Sequence, residues 1–206
     1  MYKIILTNSN GTPLKSKNGM VLYRSLPQGY TEVSYIENKG TGYVNTGVVA
    51  ANKRFEIDLQ FTSNTTRQLM GISPSSSAYW GNNKGTWEKV GNSAGISTLT
   101  RCIVNYDVGN VTASRVNVWI EGSTTKAVGT DSAFDTAAAK TLDLFRLGGS
   151  YNCIMKLYGV KVYDANNILV SALVPCINSS GVAGLYDMIA GVFRAGSGLV
   201  SGTVVA

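Results

Sequence analysis

The stretch that decides the fold is Leu26-Pro27-Gln28-Gly29-Tyr30-Thr31-Glu32-Val33-Ser34-Tyr35-Ile36-Glu37-Asn38-Lys39-Gly40-Thr41-Gly42-Tyr43-Val44-Asn45-Thr46-Gly47. Its first five residues read as a turn, because Pro27 presets φ and Gly29 adds freedom. Thr31 to Glu37 then reads as a strand with Val33 and Tyr35 on one face, since strand side chains alternate with a period of two. Gly40 to Gly42 reads as a Gly-rich turn and Tyr43 to Thr46 as a second short strand closed by Gly47. Together they predict the opening hairpin of an all-β domain.

The rest of the chain extends this pattern. Phe55, Ile57, Leu59 and Phe61 alternate with Arg54, Glu56, Asp58 and Gln60, the clearest half-buried strand in the sequence. Further strand runs are expected at Arg101 to Tyr106, Arg115 to Glu121, Thr141 to Gly149, Met155 to Asp164 and Ile168 to Val174, with short closing strands from Gly184 to Gly202. Phe134 to Lys140 is the one stretch suggesting a helical turn. The 23 glycines and the frequent Val, Thr, Tyr and Ile suit short strands joined by tight turns. With no βα alternation, the pattern points to a two-sheet antiparallel sandwich, and 206 residues suffice for one such core plus an appendage.

The opening stretch resembles the "LPxGYTxVEYIxxxGTxYIxTG" start of a concanavalin A-like (laminin-G-like) jelly-roll module found in bacteriophage structural proteins and in surface proteins of anaerobic bacteria. Val174-Pro175-Cys176 through Phe193 is similar to the closing signature of that family, "VPCxNxxGxxGLYDxxxGxF". The resemblance implies a jelly-roll sandwich over residues 26–206, behind an amino-terminal arm of residues 1–25. It implies little about activity, because one fold hosts many functions.

The arm differs from the domain in charge. Lys3, Lys15, Lys17 and Arg24 stand there without any acid, so +4 of the chain's net +6 lies in it. It also holds a short apolar strand, Ile4-Ile5-Leu6, and two Asn-Gly pairs, Asn10-Gly11 and Asn18-Gly19, that favour hairpin turns. Too small for its own core, it reads either as a basic anchor for an acidic partner surface or as an extension lying on its own domain.

Catalytic chemistry finds little support. Histidine is absent, which removes the usual general base and the commonest transition-metal ligand. Glu56-Ile57-Asp58-Leu59-Gln60 resembles the E-I-D-I-E strand of concanavalin A-like glucanases, but Gln60 cannot protonate a leaving group, so a retaining mechanism lacks its second carboxyl. The plainer reading is the polar outer face of an amphipathic strand. Asp107, Asp131, Asp135, Asp164 and Asp187 are scattered singly, a weak case for calcium, and Asp187 reads better as a turn residue that binds backbone N–H groups. Cys102, Cys153 and Cys176 are odd in number and far apart, so free, mostly buried thiols are expected.

For a ligand, the best candidates are Tyr79, Trp80 and Trp87 with Asn82 and Asn83, in a turn-rich stretch whose rings could stack on a sugar while amides fix its hydroxyls. The expected function is therefore a non-enzymatic virion structural protein (capsid decoration, head fibre or tail-associated), docked to a major capsid or tail protein through Lys3, Lys15, Lys17 and Arg24. A glycan-binding module is the alternative. No cofactor, nucleic acid or membrane partner is expected, a homo-oligomer is compatible, and the place is the virion surface after synthesis in a bacterial cytoplasm.

Overall fold

The computed structural model describes residues 4–5, 23–63, 67–72, 80–83, 86–88, 99–107, 116–119, 126–129, 141–146 and 153–205, with side chains in 25–63, 99–107, 141–146 and 153–205. The described residues are all-β: they contain no helix, and their strands pair antiparallel in a sheet that does not close on itself. The expected helical turn at 134–140 and the Asn-Gly turns of the arm lie outside the described residues.

Two strands form a small ladder of their own. β1 (Ile4–Ile5) pairs with β2 (Tyr23–Arg24), and among the described residues neither hydrogen-bonds to the main sheet. The remaining strands make one network: β3 (Tyr30–Glu32), β4 (Ile36–Val49), β5 (Arg54–Phe61), β6 (Arg67–Ile72), β7 (Trp80–Asn83), β8 (Thr86–Glu88), β9 (Cys102–Asp107), β10 (Val116–Trp119), β11 (Lys126–Gly129), β12 (Thr141–Leu144), β13 (Ile154–Tyr163), β14 (Leu169–Asn178), β15 (Ala183–Asp187), β16 (Val192–Ala195) and β17 (Ser197–Ser201).

β4 organises this network, and in a way that corrects the expected hairpin. Rather than turning back at Gly40 to Gly42, the chain runs on as one strand of 14 residues. Its first half pairs with β13 (Leu157↔Ile36, Ile154↔Lys39), its second half with β12 (Asp143↔Asn45, Leu144↔Val44), and β17 lies along its other edge. The glycines mark a bend inside the strand. The fully buried Asn38 accepts hydrogen bonds from Gly40 N (3.0 Å) and Gly42 N (2.7 Å) and donates one to Cys153 O (2.7 Å). Its side chain thus satisfies backbone groups that the bend takes out of the ladder. Gly40 adopts φ +118, and a Cβ on Gly42 would stand 2.5 Å from Ser197 O.

β13 has a forked edge. Along 154–157 its neighbour is β4, and along 160–163 it is β14. β14 itself passes from β13 to β3 further along (Cys176↔Glu32, Asn178↔Tyr30). The segment Tyr30 to Ile36 therefore crosses the gap where β13 and β14 diverge, with Val33 bridged to Val204.

Burial follows this arrangement. β5 alternates as its sequence requires, with Phe55, Ile57, Leu59 and Phe61 in the main core beside Val104, Tyr106, Leu142, Leu144 and Leu157. β14 is instead buried continuously over Ser171 to Cys176, the signature of a strand covered on both faces. Leu173 belongs to the main core. Ala172, Val174 and Cys176 join Tyr186 and Met188 in a second cluster roofed by Leu26, Tyr30 and Phe193. The opening and closing segments meet there, with the Tyr30 ring tilted against those of Tyr186 (4.8 Å between centroids) and Phe193 (5.2 Å).

Candidate functional site

The polar residues of β5 stand where an amphipathic strand puts them, on the side away from the core. Glu56 sits in one cross-strand row with Asn105 of β9 and Lys161 of β13, and Lys161 Nζ reaches its carboxylate at 3.2 Å. Arg54 donates to Asn105 Oδ1 at 3.0 Å and stands 3.8 Å from Glu56. Asp58 accepts two hydrogen bonds from Arg101, Nε to Oδ1 at 2.9 Å and Nη2 to Oδ2 at 2.7 Å. Gln60 donates to Leu99 O at 2.9 Å and accepts from the Tyr158 hydroxyl at 3.0 Å. Both carboxylates are thus held by cations, and the third position of the glucanase-like pattern is an amide engaged through both of its atoms.

Tyrosines stand beside these residues, and each carries a cation on its ring. Arg101 lies over Tyr158 (3.8 Å), Arg54 over Tyr163 (3.9 Å), Lys156 over Tyr35 (4.5 Å) and Arg146 over Tyr43 (3.2 Å). Three of these rings, Tyr35, Tyr158 and Tyr163, lie on β13 or just before β4, whereas Tyr43 and Arg146 lie where the second half of β4 meets β12. Tyr158 also meets Tyr35 edge-on at 5.7 Å. Its hydroxyl is pushed above the usual tyrosine range, chiefly by desolvation and against the pull of Lys156 and Arg101, so it keeps its proton and serves as the donor to Gln60. Arg146 also holds the buried Asp143 at 2.9 Å, and Asn45 Nδ2 donates to the same carboxylate at 2.7 Å.

The fork of β13 leaves a cavity of about 260 Å³ in this surface, lined by Glu32, Val33, Ser34, Asp58, Arg101, Tyr158, Val174, Pro175 and Val205. Asp58 is legible in the sequence as a polar strand position. The other lining residues are not legible as a group, because what joins them is the exchange of β13's neighbour from β4 to β14, and no local sequence pattern encodes that.

Tyr79 lies outside the described residues, as do Lys3, Lys15 and Lys17. Arg24 is in β2, opposite Ile4. Trp80, Asn82, Asn83 and Trp87 fall on strands β7 and β8 of a hairpin, more regular than the expected turn-rich loop. In that hairpin Asn82 pairs with Trp87 and Asn83 with Thr86. The ladder continues from β7 to β6, where Met70 pairs with Trp80, and on to β12, where Leu144 pairs with Met70.

Among the described residues no group of three or more His, Cys, Asp or Glu is placed to hold a metal ion. Asp187 serves the backbone instead. It accepts from Ser171 Oγ (2.7 Å), Ile189 N (2.9 Å) and Ala190 N (3.1 Å), the turn-binding role that its sequence position suggests. Asp164 does the same for Asn166 N and Ile168 N. All three cysteines are free and buried. Desolvation pushes the Cys102 and Cys176 thiols up to about 12, and raises that of Cys153 as well. They are therefore protonated, unreactive side chains at neutral pH.

Comparison of the chain with protein-family models, with curated proteins and with solved structures gave no match.

Proposed function

We propose that the chain is a non-enzymatic structural protein of a bacteriophage virion, in which a jelly-roll sandwich of the concanavalin A-like kind is displayed and the basic arm docks to a shell or tail protein. The observations that carry the reading are the two-stranded sheet of β1 and β2 and the charge of the arm. Among the described residues its β1–β2 ladder shares no hydrogen bond with the main sheet, while +4 of the net charge lies in residues 1–25. Engagement of Glu56 and Asp58 by Lys161 and Arg101 supports the absence of acid–base catalysis on the face where a glucanase would carry it. Mass spectrometry of purified particles from the source is the test. A copy number in simple ratio to the major shell protein is expected, and loss of the chain from particles when Lys3, Lys15, Lys17 and Arg24 are replaced by Glu. Particles that lack the native chain overturn the reading.

A second reading, a glycan-binding module, is favoured by the register that sets Asn82 opposite Trp87 in the β7–β8 hairpin. Retention on a glycan array, lost in Trp87→Ala at unchanged stability, would raise it; no retention of the native chain would remove it.

A further inference from the structure

Arg194 stands apart from the other arginines whose side chains are described. Arg54, Arg101 and Arg146 each stand against a carboxylate and over a tyrosine ring. Among the described residues no carboxylate pairs with Arg194, and its Nε is buried without a hydrogen-bond partner. The two Nη atoms make no bond either, and they are not buried, so they meet solvent from a half-buried side chain.

The backbone sets this position. Arg194 stands opposite Leu185, a core residue, and its guanidinium reaches across to β4, where it fills the space that a Cβ on Gly47 would take. Gly47 has φ +71, a conformation that favours glycine, so the seat stays open to the guanidinium. Held there, the charge has lost water on its Nε side and gained no acceptor. An incoming anion would neutralise it. The outer edge carries an N–H on each Nη in one plane, which matches the two oxygens of a carboxylate, and one positive charge balances one negative charge.

We propose that Arg194, seated on Gly47, is a binding site for one carboxylate group, taken end-on by Nη1 and Nη2 while the buried Nε side holds the fork in place. The site uses residues of the domain alone, so it stands or falls apart from the virion reading.

The test is a titration of the full-length, 15N-labelled protein with sodium acetate, exchanged against sodium chloride at constant ionic strength and followed through the Arg194 Nε–H and the Gly47 amide. Burial slows exchange of that Nε–H and keeps its resonance observable, and its loss in Arg194→Lys assigns it. Saturable shifts are expected at acetate on the order of tens of millimolar. Acetamide, with the same shape and no charge, should leave both signals in place. Arg194→Lys keeps the charge and loses the planar fork, so binding read at Gly47 should weaken at least fivefold. The comparison of acetate with acetamide needs only the native chain, and it is decisive whether or not the variant folds. Glucuronate and N-acetylaspartate amide then separate a sugar acid from an acidic side chain, by which of them binds more tightly than acetate. Equal shifts with acetamide would make the seat a neutral polar notch, and sulfate binding as tightly as acetate would make it an unspecific anion contact. Either result, or no saturation with acetate, overturns the proposal.

Discussion

Two sets of polar side chains bear on this fold in opposite ways. In the frame built from the opening and closing segments, Asn38, Thr46, Asn178 and Asp187 direct their side chains at the backbone. Asn38 holds the bend of β4, Thr46 donates to Leu142 O, Asn178 accepts from Ser180 N and Val182 N, and Asp187 accepts from Ile189 N and Ala190 N. On the outer face of β5 and its neighbours, Glu56, Asp58, Arg101 and Lys161 bind chiefly one another, half in solvent. A side chain that replaces a ladder bond leaves an orphaned backbone group behind when it is removed, whereas one that binds another side chain leaves two groups that water can serve. The polar residues of the frame are therefore architectural, and the charged face tolerates change.

The sharpest way to break this contrast is Asn38→Ala. It strips partners from Gly40 N, Gly42 N and Cys153 O at a site with no solvent exposure, so a loss of about 3–5 kcal/mol is expected, read as a lowered urea midpoint at unchanged m-value. A loss under about 1 kcal/mol would mean that water enters the bend, and the frame would then be no different from the face. Gly42→Ala tests the same bend sterically. Its Cβ would meet the backbone oxygens of Ser197 and Gly198 at 2.5 and 2.7 Å, atoms that cannot swing aside, for a cost of about 2–3 kcal/mol. Asp187→Ala comes next, at about 2 kcal/mol, since the freed N–H groups of Ile189 and Ala190 lie in a turn nearer to solvent. Thermal melts of the variants should rank them in this order.

The contrast also explains what is legible in the sequence. The alternation of β5 can be read there because one face is buried and the other is not, the condition under which a period of two appears. The turn role of Asp187 is legible because an Asx residue acts on its immediate neighbours. β4 reads as a hairpin because Gly40 and Gly42 signal a chain reversal locally. Only Asn38 Oδ1 and the distant Cys153 O convert them into a bend, and a contact 115 residues away leaves no mark in a local window. The fork cavity is illegible for the same reason, being made by a change of strand partners.

The thiols sharpen the comparison kinetically. Cys153 and Cys176 lie in the frame, while Cys102 starts β9, on the side of β5 that leads to β10 and β11. All three are expected to resist iodoacetamide at pH 8 in the native state, because burial holds them protonated. In dilute urea Cys102 should be alkylated several-fold sooner than the other two, as strands toward a sheet edge open at lower free energy than central ones. Equal rates at all three sites would show that face and frame open as one unit.

The smallest effect belongs to the Asp58–Arg101 pair, although it is the best-formed ion pair on the face. Arg101 is half exposed and Asp58 a quarter exposed, so solvent screens the charges in the folded state and hydrates both when the pair is broken. A double-mutant cycle of Asp58→Asn and Arg101→Gln should give a coupling of about 0.5–1 kcal/mol, falling further as salt is added. Arg101 also covers the Tyr158 ring, so Arg101→Gln alone should cost slightly more than Asp58→Asn, by about 0.5 kcal/mol, from the lost cation–ring contact. A coupling above about 2 kcal/mol would place Asp58 with Asn38 and Asp187 instead.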